Sequence, residues 1–219
     1  MRVAILGGTG PLGRGLAVRL AAAGTPVTIG SREQERAASI ASELVGAWPG
    51  RGLDIDGKAN EDAVELETVV VATPWDAMAS TVKPLAPALK GKVVVSVANA
   101  LVKVGRELHA LIPPRGSMAA TLQAVLPDSH IAAACHHLPA DGLLALDGDL
   151  ESDVLVCSDF SDATKATIGL LEPVPGLYPV DAGSLAQAAA IEAFTAVLIT
   201  VNIRHKTHTT LRLGGLSRA

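Results

Sequence analysis

The chain opens on a short apolar run, Val3-Ala4-Ile5-Leu6, which breaks into the turn Gly7-Gly8-Thr9-Gly10 and resumes as an alanine- and leucine-rich segment. The run predicts a strand. Leu12, Leu16 and Leu20, at every fourth position, predict one core-facing stripe on a helix from about Pro11 to Ala23, ended by Gly24. The alternation then repeats. A strand over Pro26–Gly30 leads to a helix over Arg32–Val45, and a short strand follows near Leu53–Ile55. Asn60-Glu61-Asp62 reads as a helix start, with Asn60 as the cap and the acids at the positive end of the dipole. Thr68–Ala72 is a continuous β-branched run, the pattern of a strand buried on both faces, and Thr73-Pro74-Trp75 begins the next helix. Further strands are expected over Val93–Val97, Ile131–Cys135, Asp153–Cys157 and Leu177–Val180. Helices are expected over Ser117–Leu126, Ser161–Leu171 and Ser184–Arg204, with a Gly/Leu/Asp-rich loop over Ala140–Ser152.

Strands alternating with helices predict an α/β fold: a doubly wound, mostly parallel, Rossmann-like sheet with a small C-terminal helical extension. Residues 1–157 are expected to form the dinucleotide-binding domain, and residues 158–219 a smaller helical part packed on it.

Composition narrows the function classes. With 219 residues and 49% hydrophobic content, the chain has enough apolar surface for a full core. A net charge of -4 and 2% aromatic residues argue against nucleic acid as a partner. Two cysteines, Cys135 and Cys157, are too few for a disulfide framework and fit a reducing cytoplasm. The amino terminus enters a strand at once, without a signal-peptide pattern. The apolar stretch Leu185–Val201 contains Gln187 and Glu192 and is shorter than a bilayer span, so it is expected to be a buried helix, with no membrane as partner.

The chemistry concentrates where strands end. Gly8, Gly10 and Gly13 form G-x-G-x-x-G between strand and helix: the first glycine for the tight turn, the second for approach of a pyrophosphate, the third for helix–strand packing. The phosphates then meet the free N–H groups of the helix that begins at Pro11. Gly8, Thr9, Gly10, Pro11 and Leu12 are the candidate nucleotide contacts. About 20 residues further on, where NAD-binding proteins place an acidic residue, stand Ser31 and Arg32, with Arg36 one turn later. A hydroxyl and two guanidiniums hold a 2′-phosphate that a carboxylate repels, so NADP is favoured over NAD. Thr73, Pro74, Ala98 and Asn99 complete the strand-end rim. Trp75 either covers a flat ring there or anchors the core.

Cys135-His136-His137 invites a metal reading, but adjacent strand residues point to opposite faces, so no metal site is expected. A single imidazole, His136, is suited to hydrogen-bond a ligand at the strand's end. No nucleophile elbow occurs, and the sole tyrosine, Tyr178, has no lysine four residues on, which removes the short-chain dehydrogenase pairing. Hydride transfer needs neither.

Taken together, Met1–Gly10 with Leu12-Gly13, Gly30-Ser31-Arg32, Asn60-Glu61-Asp62-Ala63, Pro74-Trp75 and Asp181-Ala182-Gly183 resemble the NADPH-dependent coenzyme F-420 reductases over nearly the whole chain. The resemblance implies reversible hydride transfer between C4 of NADP(H) and C5 of the deazaflavin coenzyme F-420. It places the deazaflavin near His136, Leu138, Pro139 and Thr195, with His136 and Trp75 as positioning residues. It also implies a homodimer whose contacts involve the C-terminal part. Ala189 and Ala193 stand where family members often carry an arginine and a serine. Two alternatives follow: an NADPH-dependent reductase of another acceptor (flavin, quinone or imine), as in the similarly folded STEAP-type metalloreductase domains, or a non-catalytic NADP(H)-binding sensor.

Overall fold

The computed structural model describes residues 2–148 and 150–216. Met1 of the opening stretch, Asp149 of the 140–152 loop and residues 217–219 of the C-terminal part lie outside the described residues. In chain order the strands are β1 (Val3–Leu6), β2 (Val27–Ser31), β3 (Ile55–Ala59), β4 (Thr68–Val71), β5 (Val93–Ser96), β6 (Leu101–Val104), β7 (Glu107–Ala110), β8 (His130–Ala133), β9 (Ser152–Ser158) and β10 (Leu177–Asp181). The α-helices are α1 (Pro11–Ala22), α2 (Gln34–Ala47), α3 (Asn60–Ala63), α4 (Trp75–Val82), α5 (Ala86–Leu89), α6 (Met118–Val125), α7 (Ala140–Leu144), α8 (Ser161–Leu171) and α9 (Ala188–His205).

Eight strands form one sheet in the order β3-β2-β1-β4-β5-β8-β9-β10. It is parallel from β3 through β8; β9 then pairs antiparallel to β8, and β10 parallel to β9. This is the doubly wound sheet expected from the sequence, and β10 extends it past residue 158. Both faces are covered. Val3 and Ile5 join the core on one face with Leu16, Leu20, Ile40 and Leu170, while Ala4 and Leu6 join the other with Met78, Leu122 and Ile191. Successive side chains of a strand point to opposite faces, so a strand sandwiched between helix layers is apolar at every position. The connection order reverses between β1 and β4, and their carboxyl ends splay around a crevice.

Four features differ from the sequence pattern or extend it. Ala59, not Asn60, caps α3, because β3 runs straight into the helix; the Asn60 side chain makes no cap bond and is buried. The 140–152 segment contains the short helix α7, clamped on α1 by the buried Arg19, whose guanidinium donates to the carbonyls of Gly142, Leu143, Ala145 and Gly148. A hairpin, β6–β7, turns at Gly105, where φ is +61°, and its second strand packs on α9 through Leu108 N–H to Thr200 Oγ1 at 3.0 Å. Finally, α9 is not a buried helix. It buries Ala188, Ile191, Glu192, Thr195 and Ala196, and leaves Phe194 44% and Val197 53% exposed. Its apolar residues run all round the helix, so one packed stripe cannot cover them. By length and hydropathy Leu185–His205 also passes as a membrane span; here its packed stripe belongs to the sheet's helical layer.

Glu192 joins α9 to α6. Its carboxylate accepts from Met118 N–H at 2.7 Å and Ala119 N–H at 3.0 Å, and the Ser117 hydroxyl oxygen accepts from Ala120 N–H at 2.9 Å, so the first turn of α6 is satisfied. Burial pushes the Glu192 carboxyl from 4.5 up to about 7, against the pull of the two N–H bonds. A folded pKa above the unfolded one means that stability is full below pH 4.5 and falls as pH rises to about 7. Urea denaturation across this range should show a loss of at most about 3 kcal/mol. Glu192→Gln should flatten the same stretch; an unchanged pH slope in the variant refutes the assignment.

Candidate functional site

The carboxyl ends of β1, β2, β4 and β5 enclose two adjoining cavities of about 430 and 500 Å³, which share Gly7, Thr9, Arg36, Thr73 and Pro74. Glycines make the floor. Gly7 has φ +76°, and a Cβ there would lie 2.7 Å from Thr73 N. A Cβ on Gly13 would lie 2.7 Å from both Gly7 O and Gly8 Cα, so α1 can sit against β1 only without one. Gly10 is the N-cap of α1, and a Cβ there would meet nothing nearer than Gly7 O at 3.4 Å. The sequence assigns the tight turn to Gly8, but the left-handed residue is Gly7. Gly8 is buried against Ile29 and lines neither cavity.

The start of α1 has no side-chain cap and no acid in its first turn. The N–H groups of Leu12 and Gly13 have no helical acceptor, so the helix presents uncompensated positive charge to the cleft. Thr9, Gly10, Pro11 and Leu12 all line the larger cavity. Arg14 is occupied elsewhere, by the Thr9 carbonyl at 3.0 Å and the Glu43 carboxylate at 2.9 Å.

Ser31, Arg32 and Arg36 line the smaller cavity. The helix begins at Gln34, so Arg32 lies in the link from β2 and Arg36 in the first turn of α2. Ser31 Oγ accepts from Glu33 N–H at 3.3 Å, which leaves its proton free to donate. Arg2, Arg14, Arg51, Arg204 and Arg212 are each paired with a carboxylate; among the described residues Arg32, Arg36, Arg106 and Arg115 have no such pair, and of these four Arg32 and Arg36 line this cavity. Two guanidiniums left without counter-charge beside a hydroxyl form an anion site.

Thr73, Pro74, Trp75, Ala98 and Asn99 line the larger cavity. Trp75 is 38% exposed, so it stands at the rim and does not anchor the core. Three buried polar atoms around the two cavities have no partner: Asn60 Oδ1, Thr73 Oγ1 and Asn99 Oδ1. Buried polar groups in proteins are normally bonded. Unsatisfied atoms lining a cleft mark where a ligand's groups complete the bonding. Gly7, Asn60 and Leu101 were not among the expected contacts. The sequence shows Asn60 only as a helix-start residue; that it is buried at the cleft, and not used as a cap, is visible in the fold alone.

His136, Leu138, Pro139 and Thr195 line neither cavity. His136 is buried, and burial pushes its pKa down to about 3 against the pull of the neighbouring Val97 and Ala98 backbone, so the ring is neutral at pH 7. Its carbonyl accepts from Asn99 Nδ2 at 2.8 Å, one bond behind the cavity wall. Leu138 belongs to the core, Pro139 packs over Gly142, and the Thr195 hydroxyl donates to Ile191 O within its own helix. His137 Nε2 lies 2.8 Å from the Asp153 carbonyl. Among the described residues no three His, Cys, Asp or Glu side chains converge as metal ligands. Two further depressions, of about 580 and 630 Å³, lie along β10 and between the hairpin and the end of α9, away from the parallel strand ends.

Comparison with known proteins accords with this geometry. Residues 2–100 match the family described as NADP oxidoreductase, coenzyme F-420-dependent. The chain is 37% identical over 211 residues to the F-420-dependent NADP reductase of Methanocaldococcus jannaschii, and 34% identical to that of Methanothermobacter marburgensis, covering 94% of each chain in both cases. A crystal structure from Arthrobacter sp. FB24, named for the same activity, shares the fold with a TM-score of 0.80 at 24% identity, covering 97% of this chain and 98% of that one. The glycine turn, the free arginine pair and the near full-length identity lead to one conclusion: the chain belongs to the family of F-420-dependent NADP reductases.

Proposed function

We propose that the protein transfers a hydride reversibly between C4 of NADP(H) and C5 of the deazaflavin coenzyme F-420. The observation that carries this reading is the cleft itself: uncapped helix N–H groups at one point and two unpaired guanidiniums beside Ser31 at another. That is the charge layout of a pyrophosphate followed by a 2′-phosphate. Both relatives are named for NADP and F-420 together.

Gly10 and the first turn of α1 hold the pyrophosphate, with Thr9, Pro11 and Leu12 along the same wall. Ser31, Arg32 and Arg36 hold the 2′-phosphate. Thr73, Pro74, Ala98 and Asn99 line the nicotinamide end, and the half-exposed Trp75, which lines the same cavity as Leu101, borders the deazaflavin. Bound there, the two coenzymes supply the hydride chemistry. The chain's own part is to hold donor and acceptor carbons together, exclude water and keep the surroundings neutral; a nucleophile or proton shuttle has no role in such a step. The neutral His136 behind Asn99 suits that requirement.

The nucleotide site belongs to the 1–157 part. The 158–219 part presents α9, whose exposed Phe194 and Val197, together with Val102 and Val104 of the hairpin, supply the apolar face of a homodimer. The reading places the enzyme in a reducing cytoplasm, consistent with two free, buried cysteines. A second reading, NADPH-dependent reduction of another acceptor, is favoured by one observation: α9 carries Ala189 and Ala193 in its first half, and its basic residues lie only in the last turn. No cation of that first half is then available to the anionic tail of F-420.

Three outcomes are expected. Anaerobic mixing of protein and NADPH with oxidised F-420 should bleach the deazaflavin absorbance; unchanged F-420 with reduction of a flavin or imine instead establishes the second reading. Arg32→Asp should lower the NADPH-over-NADH preference in kcat/KM by about 10- to 100-fold, the worth of one charge-assisted contact, and an unaltered preference refutes the 2′-phosphate assignment. Sedimentation should find a dimer that Val197→Glu converts to monomer; a monomeric wild type contradicts the proposed interface.

A further inference from the structure

We infer that Asn99 reads the carboxamide of the nicotinamide ring, its Oδ1 accepting a hydrogen bond from the carboxamide N–H, with the carbonyl of His136 acting as the lock that fixes the amide's orientation. This rests on the NADP(H) reading above and names the group that the larger cavity recognises.

Asn99 follows β5 at the rim and lines the cavity with Pro11, Leu12, Trp75 and Ala98. Its Nδ2 donates to His136 O at 2.8 Å, and its Oδ1 is buried without a partner. An asparagine amide is usually free to be drawn either way round; here reversal would set Oδ1 against the His136 carbonyl oxygen at hydrogen-bond distance, so the oxygen is committed as an acceptor. The carbonyl is itself fixed. It lies in the turn after β8, where Cys135 has φ +61°, a left-handed conformation uncommon for a residue with a Cβ, and where Leu138 N–H closes on Cys135 O at 3.3 Å. The His136 ring lies against the backbone of Val97 and Ala98 in the same wall, which adds a second tie between this turn and the residues next to Asn99.

A buried acceptor with no donor is costly, and a ligand that supplies the donor gains by it. The other named walls of this cavity are largely apolar and suit a flat ring. The nicotinamide ring bears one N–H donor group, the carboxamide. Holding it stops the ring from rotating about its glycosidic bond and sets which face of C4 meets the acceptor.

The test is binding, read by titration calorimetry with three probes: NADP⁺, its 3-acetylpyridine analogue, in which a methyl group replaces the carboxamide NH₂, and 2′,5′-ADP, which has no nicotinamide. Wild type should bind NADP⁺ about fivefold more tightly than the analogue, the worth of one neutral hydrogen bond. Asn99→Ala should bring that ratio close to one while leaving 2′,5′-ADP within about twofold of wild type; Asn99→Ser serves as the gentler second variant. A ratio near one in wild type overturns the inference whatever the variants do, and so does a ratio kept at its wild-type value in a variant that still binds 2′,5′-ADP. Failure of wild type to bind any of the three overturns the NADP(H) reading itself.

Discussion

The structure depends on a close approach that side chains would prevent. The end of β1, the start of α1 and the end of β4 meet where Gly7 and Gly13 stand, each with backbone atoms closer than 3 Å to where a Cβ would be. This contact brings the uncapped first turn of α1 level with the carboxyl ends of β4 and β5, and so creates the cleft. A β-carbon at either position would force helix and strand apart and move the free N–H groups away from the floor. Geometry and electrostatics share one cause, because the residues that permit the packing also leave the helix end open to an anion.

The rest of the site follows from what is left unbonded. The arginines elsewhere in the fold that form ion pairs lie on surfaces, whereas Arg32 and Arg36 stay free beside Ser31 at the cleft wall. Around the same cleft Asn60, Thr73 and Asn99 keep buried oxygens without partners. Two buried ionisable groups away from the cleft are fully engaged: Arg19 donates to four carbonyls in and after α7, and Glu192 accepts from two N–H groups at the start of α6. Unpartnered atoms also occur in the core, at Thr28, Ser96 and Thr167, so it is their position on the cavity walls that sets Asn60, Thr73 and Asn99 apart.

Much of this was legible in the sequence because it rests on period and position. The β-branched run at Thr68, the leucine stripe from Leu12 to Leu20 and the Ser31-Arg32 pair at the end of the second strand each signal their place without tertiary information. Other features depend on contacts across long sequence separations. That Gly7 rather than Gly8 takes the left-handed turn is decided by β4 pressing on it. The helix α7 exists because Arg19, more than a hundred residues earlier, binds its carbonyls. The exposed side of α9 is invisible to hydropathy, which sees apolar residues but not which of them find a neighbour. The turn that positions His136 requires a left-handed Cys135, a conformation that no local pattern announces.

The central claim is that one anionic dinucleotide spans the cleft from the start of α1 to the arginine pair. The most direct measurement is a crystal structure of the protein grown with NADP⁺. The account predicts the pyrophosphate over Gly10 at the first turn of α1, and the 2′-phosphate between Ser31 and the guanidiniums of Arg32 and Arg36. A nucleotide bound elsewhere, or a cleft closed by its own side chains at saturating NADP⁺, would contradict it.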